Sequence, residues 1–215
     1  MSATKYYPTG IAELDAALGG AGLKGGQLVL VLGPAASGRS LLSMRIAASI
    51  SQSDPVTAWL LDMGESDNDK YAARKKYGLR DKDVRFGRYR DPVGIIDEIK
   101  EHAERGVSAF VIDNANLINK NDPALLDFAR GISINPDEQS HAIGFYGALS
   151  MLSHELGCLI VATIQTAREW PKEADGGMMT VAMCDICINV ENGIAHLSKN
   201  RQAGKYIKLP LDGVQ

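Results

Sequence analysis

The sequence predicts an α/β fold with a mostly parallel central sheet flanked by helices and with antiparallel strands at the C-terminal edge. Short apolar segments alternate with segments of helical periodicity, which is typical of parallel strands joined by crossover helices. The four apolar segments are residues 27–33, 56–62, 108–113 and 158–165. Three further strand segments lie close together, without room for a helix between them, which favours antiparallel pairing. They are residues 185–191, 194–200 and 206–211.

The segments between the first four strands carry the periodicity of amphipathic helices. Predicted helices cover residues 40–51, 91–106 and 140–157. In the second of them, apolar side chains recur three or four residues apart and form one face. They are Val93, Ile96, Ile99 and Ala103. The chain has no internal repeat and no obvious boundary, so we expect a single domain over residues 1–215.

Composition argues against several classes of protein. The net charge is only −3, so any contact with nucleic acid has to come from local basic patches. Three cysteines, Cys158, Cys184 and Cys187, are too few for a disulfide framework and indicate a reducing compartment. We see no basic region followed by an apolar run at the N-terminus, and no segment with the roughly 20 apolar residues of a membrane helix. We therefore expect a cytoplasmic protein with no membrane partner.

Residues 33–40, GPAASGRS, lie between the first predicted strand and the first predicted helix. They fit the phosphate-loop pattern G-x-x-x-x-G-K-[ST], except that arginine replaces lysine. In that arrangement, backbone N–H groups of the loop and of the helix N-terminus point at phosphate oxygens. The predicted nucleotide-binding residues of this segment are Gly33, Pro34, Ala35, Ala36, Ser37, Gly38, Arg39, Ser40 and Leu41.

Two charged residues accompany this loop. Arg39 keeps a positive charge near the phosphates, but its planar guanidinium differs in shape from the compact ammonium of a lysine. Asp113 ends an apolar segment, so its carboxylate is expected beside the phosphate loop at the carboxyl edge of the sheet. Ser40 and Asp113 are therefore the predicted Mg²⁺ residues.

Six blocks of the chain resemble the core of RecA, the bacterial strand-exchange ATPase. They are residues 9–40, 59–78, 110–118, 140–166, 176–190 and 198–204. Each block alone is a weak motif, but together they span about residues 9–210 in the order of the RecA family. The same broad fold includes DnaB-type helicases, RadA and KaiC. The resemblance implies a RecA-like P-loop NTPase core with ATP and Mg²⁺ as cofactors, in which Asp113 also belongs to the nucleotide site.

The resemblance also implies roles for single residues. Tyr71 is at the position of an adenine-stacking tyrosine, and Gln165 is at that of a γ-phosphate-sensing glutamine. Lys199 and Arg201 match two catalytic cations that reach a neighbouring subunit's ATP, where positive charge stabilises the developing phosphoryl charge. Because they are two residues apart in a predicted strand, both are expected on one face. A homo-oligomer, either filament or ring, with ATP at subunit interfaces is therefore expected.

The catalytic carboxylate has two candidates. With Asp62 and Tyr71 aligned on the family, the water-activating glutamate falls on Gly64, and Glu65 is one residue later. A one-residue bulge would restore Glu65 to this role, and Asp62 is the other candidate. We predict Glu65 as the base, and a glycine at this position together with Arg39 would predict slow hydrolysis.

A DNA-binding loop of the family corresponds to residues 167–179. The predicted DNA contacts are Arg168, Trp170, Lys172, Gly176 and Gly177. Cations and an aromatic ring suit single-stranded DNA, whose bases stack while its backbone is neutralised. Acidic residues oppose this, because this loop and the first loop position, residues 119–139, are both net negative. The strongest basic run, residues 70–90, is either a solvated surface or a patch for a phosphate backbone or a protein partner.

Three functions are compatible with these residues. The leading prediction is a DNA-dependent ATPase that acts on single-stranded DNA in recombination or repair. It would work with a recombination or replication protein, in a bacterial or virus-infected cell, and associate with the nucleoid. Arg39 and Gly64 favour a catalytically weak ATP-binding paralogue that acts as a regulator, mediator or assembly subunit. The third is a DnaB- or RadA-type hexameric helicase motor. Compared with RecA, we expect a minimal core without the N-terminal arm and the C-terminal domain.

Overall fold

The computed structural model describes residues 4–60, 71–72, 75–76, 78–79, 84–86, 91–118, 123, 140–166 and 177–211. Within these ranges the chain forms an eight-stranded mixed sheet and a separate two-stranded sheet. The small sheet pairs β1 (Tyr6–Tyr7) with β2 (Leu23–Lys24), which precede and follow α1 (Ala12–Ala17) in the chain. The predicted α/β class is confirmed, and the single domain over residues 1–215 stays a prediction.

The large sheet is parallel except at one edge. Its strands are β3 Gln27–Gly33, β4 Val56–Leu60, β5 Val84–Phe86, β6 Ala109–Asp113, β7 Leu159–Gln165, β8 Ile186–Glu191, β9 Ile194–Asn200 and β10 Lys208–Pro210. They lie in the order β10-β9-β8-β3-β7-β6-β4-β5. The strands from β8 to β5 are parallel, whereas β9 and β10 pair antiparallel with their neighbours. The predicted antiparallel edge is confirmed, and β5 went unpredicted.

Helices cover both faces of this sheet. They are α2 Arg39–Ser51, α3 Pro92–Glu104, α4 Ser140–Leu156 and α5 Gly177–Met183. Val29 and Val31 of β3 belong to the core under α2, whereas Leu28, Leu30 and Leu32 belong to the core under α3 and α4. Because successive side chains of a strand point to opposite faces, a strand buried on both faces reads as one continuous apolar run.

The buried face of α3 differs from the predicted one. Its buried residues are Pro92, Ile95 and Ile99. Ile96 and Ala103, expected at the centre of the face, pack against the core only partly. The carboxylate of Asp91 accepts the N–H of Val93 at 3.1 Å and caps the helix. The cap starts the helix at Pro92, so the first turn is part of the buried face.

The three cysteines are free and buried. Burial raises the pKa of the Cys158 thiol to about 12, so this thiol stays protonated at neutral pH. None of the helices in the described part of the chain combines the length and the apolar character that a membrane crossing requires.

Candidate active site

The loop between β3 and α2 turns tightly around the N-terminus of the helix. Gly38 precedes the helix with φ +103°, a conformation that glycine adopts without strain. The N–H of Ser37 donates to the carbonyl of Pro34 at 3.3 Å. The Ser37 hydroxyl is buried and has no hydrogen-bond partner in the described part of the chain. A buried hydroxyl without a partner is costly, so this atom is suited to accept or donate a bond from a bound ligand.

Gly33 brings the loop close to β8. A Cβ atom at Gly33 would lie 2.1 Å from the carbonyl oxygen of Val190 and 2.6 Å from the Ser37 hydroxyl. Both distances are far shorter than a van der Waals contact. The residue must therefore be glycine for the end of β8 and the loop to pack as they do.

Replacing Gly33 with alanine is expected to displace either the end of β8 or the loop. Overpacking of this kind costs about 1–3 kcal/mol of the free energy of unfolding, which lowers the melting temperature by roughly 2–12 °C. Thermal denaturation followed by circular dichroism measures this change. Gly204→Ala is the control, because its backbone is also left-handed at φ +66° but its Cβ would meet nothing within 4 Å. A Gly33→Ala variant as stable as wild type would contradict the close contact.

Ser40 and Asp113 meet at the carboxyl edge of the sheet. The Ser40 hydroxyl donates to Asp113 Oδ1 at 3.1 Å. Thr163, on the neighbouring strand β7, donates its hydroxyl to the same oxygen at 2.5 Å. Asp113 is 1% exposed, so its carboxylate is held in a fixed direction by the loop helix and by the sheet. Hydroxyl and carboxylate oxygens are the ligands that suit Mg²⁺.

Arg39 and Gln165 are neighbours. Arg39 is the first residue of α2 and is buried, with 7% of its surface exposed. Its Nη2 donates to Gln165 Oε1 at 3.5 Å, at the long limit of a hydrogen bond. Gln165 ends β7, where it is in register with Gly33. The predicted phosphate-binding cation and the predicted γ-phosphate sensor therefore lie together beside the loop.

Asn116 and Thr163 belong to the same cluster, and sequence reasoning missed both. Asn116 lies in a short 3₁₀ helix, Ala115–Leu117, directly after β6. Its side chain accepts the backbone N–H of Gln165 and donates to the carbonyl of Gln165, the latter at 3.2 Å. The available signals were a polar side chain inside the apolar run 158–165 and a second asparagine shortly after Asp113.

Lys199 and Arg201 lie away from this cluster. The backbone N–H of Arg201 donates to the carbonyl of Asp185, whose own N–H donates to the carbonyl of Leu28. Arg201 is therefore in the row of Leu28, five residues before Gly33, which is roughly 16 Å along the sheet. The phosphate loop follows the carboxyl end of β3, and Arg201 is near its amino end. Neither cation is placed to act on a nucleotide held by its own loop.

Both cations bind the C-terminal end of α5. Lys199 Nζ donates to the carbonyls of Val181 and Ala182 at 2.7 and 3.1 Å, and Arg201 Nη2 donates to Ala182 at 3.2 Å. Arg201 Nη1 also lies 3.6 Å from a carboxylate oxygen of Asp185. Cations are favoured at a helix C-terminus, where carbonyls lack partners and the helix dipole is negative. Burial lowers the pKa of Lys199.

The other predicted residues have no place in this cluster. Tyr71 is 67% exposed. Gly177 is the first residue of α5, a helix that went unpredicted between the DNA-loop position and β8. The remaining predicted residues lie outside the described ranges: Asp62, Gly64, Glu65, Arg168, Trp170, Lys172 and Gly176.

The architecture is similar to that of a solved structure, the ATPase domain of a DnaB-like helicase. The two align with a TM-score of 0.74 over 98% of this chain and 89% of that chain, at 14% sequence identity. The chain has a RecA-like core. No family model matches the sequence, and no curated protein matches it. At this identity the likeness concerns the RecA-like fold alone, so the roles of single residues rest on their geometry.

Proposed function

We propose that this chain is an ATPase that binds ATP and Mg²⁺ at the carboxyl edge of its sheet. The observation that carries the proposal is the pairing of Ser40 with Asp113 beside a glycine-bounded loop whose Ser37 hydroxyl lacks a partner among the described residues. The loop N–H groups and the N-terminus of α2 would hold the phosphates. Ser40 and Asp113 would hold Mg²⁺, which neutralises phosphate charge during phosphoryl transfer.

Arg39 would take the part that lysine has in the usual loop. Its guanidinium, fixed beside Gln165, can form charge-assisted bonds to a terminal phosphate. The fork of an arginine makes directed bonds, whereas a lysine would act as a compact point charge. Gln165 would report the presence of that phosphate. Glu65 remains our proposed base, outside the described residues.

ATP turnover in wild type, Arg39→Lys and Glu65→Gln tests these roles. We expect Arg39→Lys to be equal to wild type or faster, because the ammonium restores the usual phosphate contact. We expect Glu65→Gln to abolish turnover and to retain nucleotide binding, because an amide cannot take the proton of the attacking water. The measurement is phosphate release, with a fluorescent ADP analogue to report binding.

The outcomes separate the two main candidates. Brisk turnover in the wild type supports an ATPase and eliminates the weak paralogue. Tight nucleotide binding without phosphate release selects the paralogue that Arg39 favours. Turnover unchanged in Glu65→Gln would show that another carboxylate, first of all Asp62, is the base.

We further propose that the active form is a homo-oligomer that acts on single-stranded DNA in recombination or repair. The position of Lys199 and Arg201 near the amino end of β3 supports assembly, because they are remote from the chain's own phosphate loop. Phosphate release with and without single-stranded DNA tests the second part. A rate that does not respond to any DNA would count against a DNA-dependent enzyme, and ATP-driven strand separation would instead identify a helicase motor.

A further inference from the structure

The side chain of Asn116 makes the contacts that a neighbouring β-strand would make. Its Oδ1 accepts the N–H of Gln165, and its Nδ2 donates to the carbonyl of the same residue at 3.2 Å. One amide thus satisfies both backbone groups of the last residue of β7. None of the roles proposed above uses Asn116.

This contact stands where the sheet has lost a strand. The register between β6 and β7 ends at Ile112 and Ala162, before Gln165 is reached. On its other side β7 is still bound, because Gln165 is in register with Gly33 and the N–H of Thr166 donates to the carbonyl of Gly33 at 2.9 Å. Asn116 therefore fixes the open side of β7 at the point where the sensor residue is placed.

Asn116 is itself held in place. The side chain of Asn114 accepts the N–H of Asn116 at 3.2 Å and caps the short 3₁₀ helix. This helix follows Asp113 directly, so the carboxylate, the turn and the amide form one continuous element. A displacement of the turn would move Asn116 and Asp113 together.

We propose that Asn116 is a positioning residue that aims the side chain of Gln165 at the terminal phosphate of ATP. The inference rests on the proposed function and deepens it. The contact between Arg39 and Gln165 is 3.5 Å long, so a small rotation of the Gln165 backbone would remove it. A misplacement of about 1 Å at a reacting centre can cost on the order of 100-fold in rate. Asn116 acts through Gln165 and touches neither phosphate nor metal.

Asn116→Ala tests the proposal through the split between kcat and KM. The phosphate loop and Ser40 are intact in this variant, so KM for ATP and affinity for a fluorescent ADP analogue are expected to stay within about twofold of wild type. The kcat is expected to fall about 10- to 100-fold. Affinity for a non-hydrolysable ATP analogue, relative to ADP, is expected to fall as well, because Gln165 no longer meets the terminal phosphate.

Asn116→Asp gives a second readout that a merely structural role would not move. As a carboxylate it can accept the N–H of Gln165 but places a negative oxygen against the Gln165 carbonyl. This repulsion favours the neutral acid and raises the pKa of the new carboxyl. The neutral acid can donate to the carbonyl and restore both bonds. Activity relative to wild type is therefore expected to be low at about pH 8 and to recover as the pH falls through the raised pKa, toward about pH 5.5.

Leu117→Ala is the matched control, because Leu117 lies on the same turn and is 41% exposed. It is expected to match wild type in kcat, in KM and in pH profile. If wild type turns over ATP and Asn116→Ala does so equally fast, or if Asn116→Asp follows the wild-type pH profile, the positioning role is wrong. If wild type binds nucleotide without turnover, the ratio of ATP-analogue to ADP affinity decides in the same way. A wild type that binds no nucleotide overturns both the proposed function and this inference.

Discussion

Asp113→Asn is expected to lower Mg²⁺-dependent ATP turnover by at least about 100-fold. The amide is close in shape to the carboxylate and keeps one oxygen that can accept from Ser40 and Thr163. The negative charge that would balance Mg²⁺ is lost, so the metal would bind more weakly beside the phosphates. Initial rates across a Mg²⁺ titration measure the effect, and the variant is expected to require a higher Mg²⁺ concentration for its remaining activity.

The control for this variant is Thr163→Val, which removes one hydroxyl donor and keeps the carboxylate. The loss of a hydroxyl that donates to Asp113 at 2.5 Å leaves the carboxylate less firmly directed, so an intermediate loss of about 10-fold is expected. Circular dichroism shows whether both variants are folded. Wild-type rates and an unchanged Mg²⁺ requirement in folded Asp113→Asn would remove Asp113 from the metal site.

Most of the sheet could be predicted because its strands are buried on both faces. A run such as residues 27–33 has no polar residue after Gln27, and its length fits a strand better than a helix. The antiparallel edge followed from chain length alone, since only two residues separate β8 from β9. The three-residue strand β5 has too few residues to show a period, and only its pairing with β4 defines it.

The candidate site was predictable where backbone and charge define it. The glycines at residues 33 and 38 and the carboxylate of Asp113 each follow from a strand that ends at the same sheet edge. Asn116 and Thr163 were not predictable in this way, because their importance depends on which strands are neighbours. The separations of 49 residues between Asn116 and Gln165 and of 50 residues between Asp113 and Thr163 arise only from the strand order.

Lys199 and Arg201 show the same limit from another direction. Their spacing predicted a shared face but not the partner they bind. In the fold they reach the C-terminal carbonyls of α5, a helix that the apolar pattern between residues 176 and 190 did not separate from the following strand. Seven residues give barely two turns, which is too short for a clear helical period.

Arg201→Ala is expected to lower ATP turnover by about 1,000-fold or more if the arginine acts on a neighbour's nucleotide. Nucleotide binding should persist, since the phosphate loop of the same chain is intact. Removing the side chain also removes a contact to Ala182 and an ion pair with Asp185, so some stability will be lost. His154→Ala is the control for that effect, because His154 Nε2 lies 3.7 Å from the same carboxylate and has no predicted catalytic role.

Mixing two inactive variants decides whether Arg201 acts between subunits. Arg201→Ala keeps an intact phosphate loop, and Asp113→Asn keeps an intact Arg201. In a head-to-tail assembly of equal parts, about one interface in four joins a working loop to a working arginine, so about a quarter of the wild-type rate should return. Because Arg201 lies in the row of Leu28, roughly 16 Å along the sheet from Gly33, no rearrangement within one chain readily gives the same recovery. If the mixture stays inactive while Arg201→Ala loses stability as His154→Ala does, the two cations serve only to cap α5.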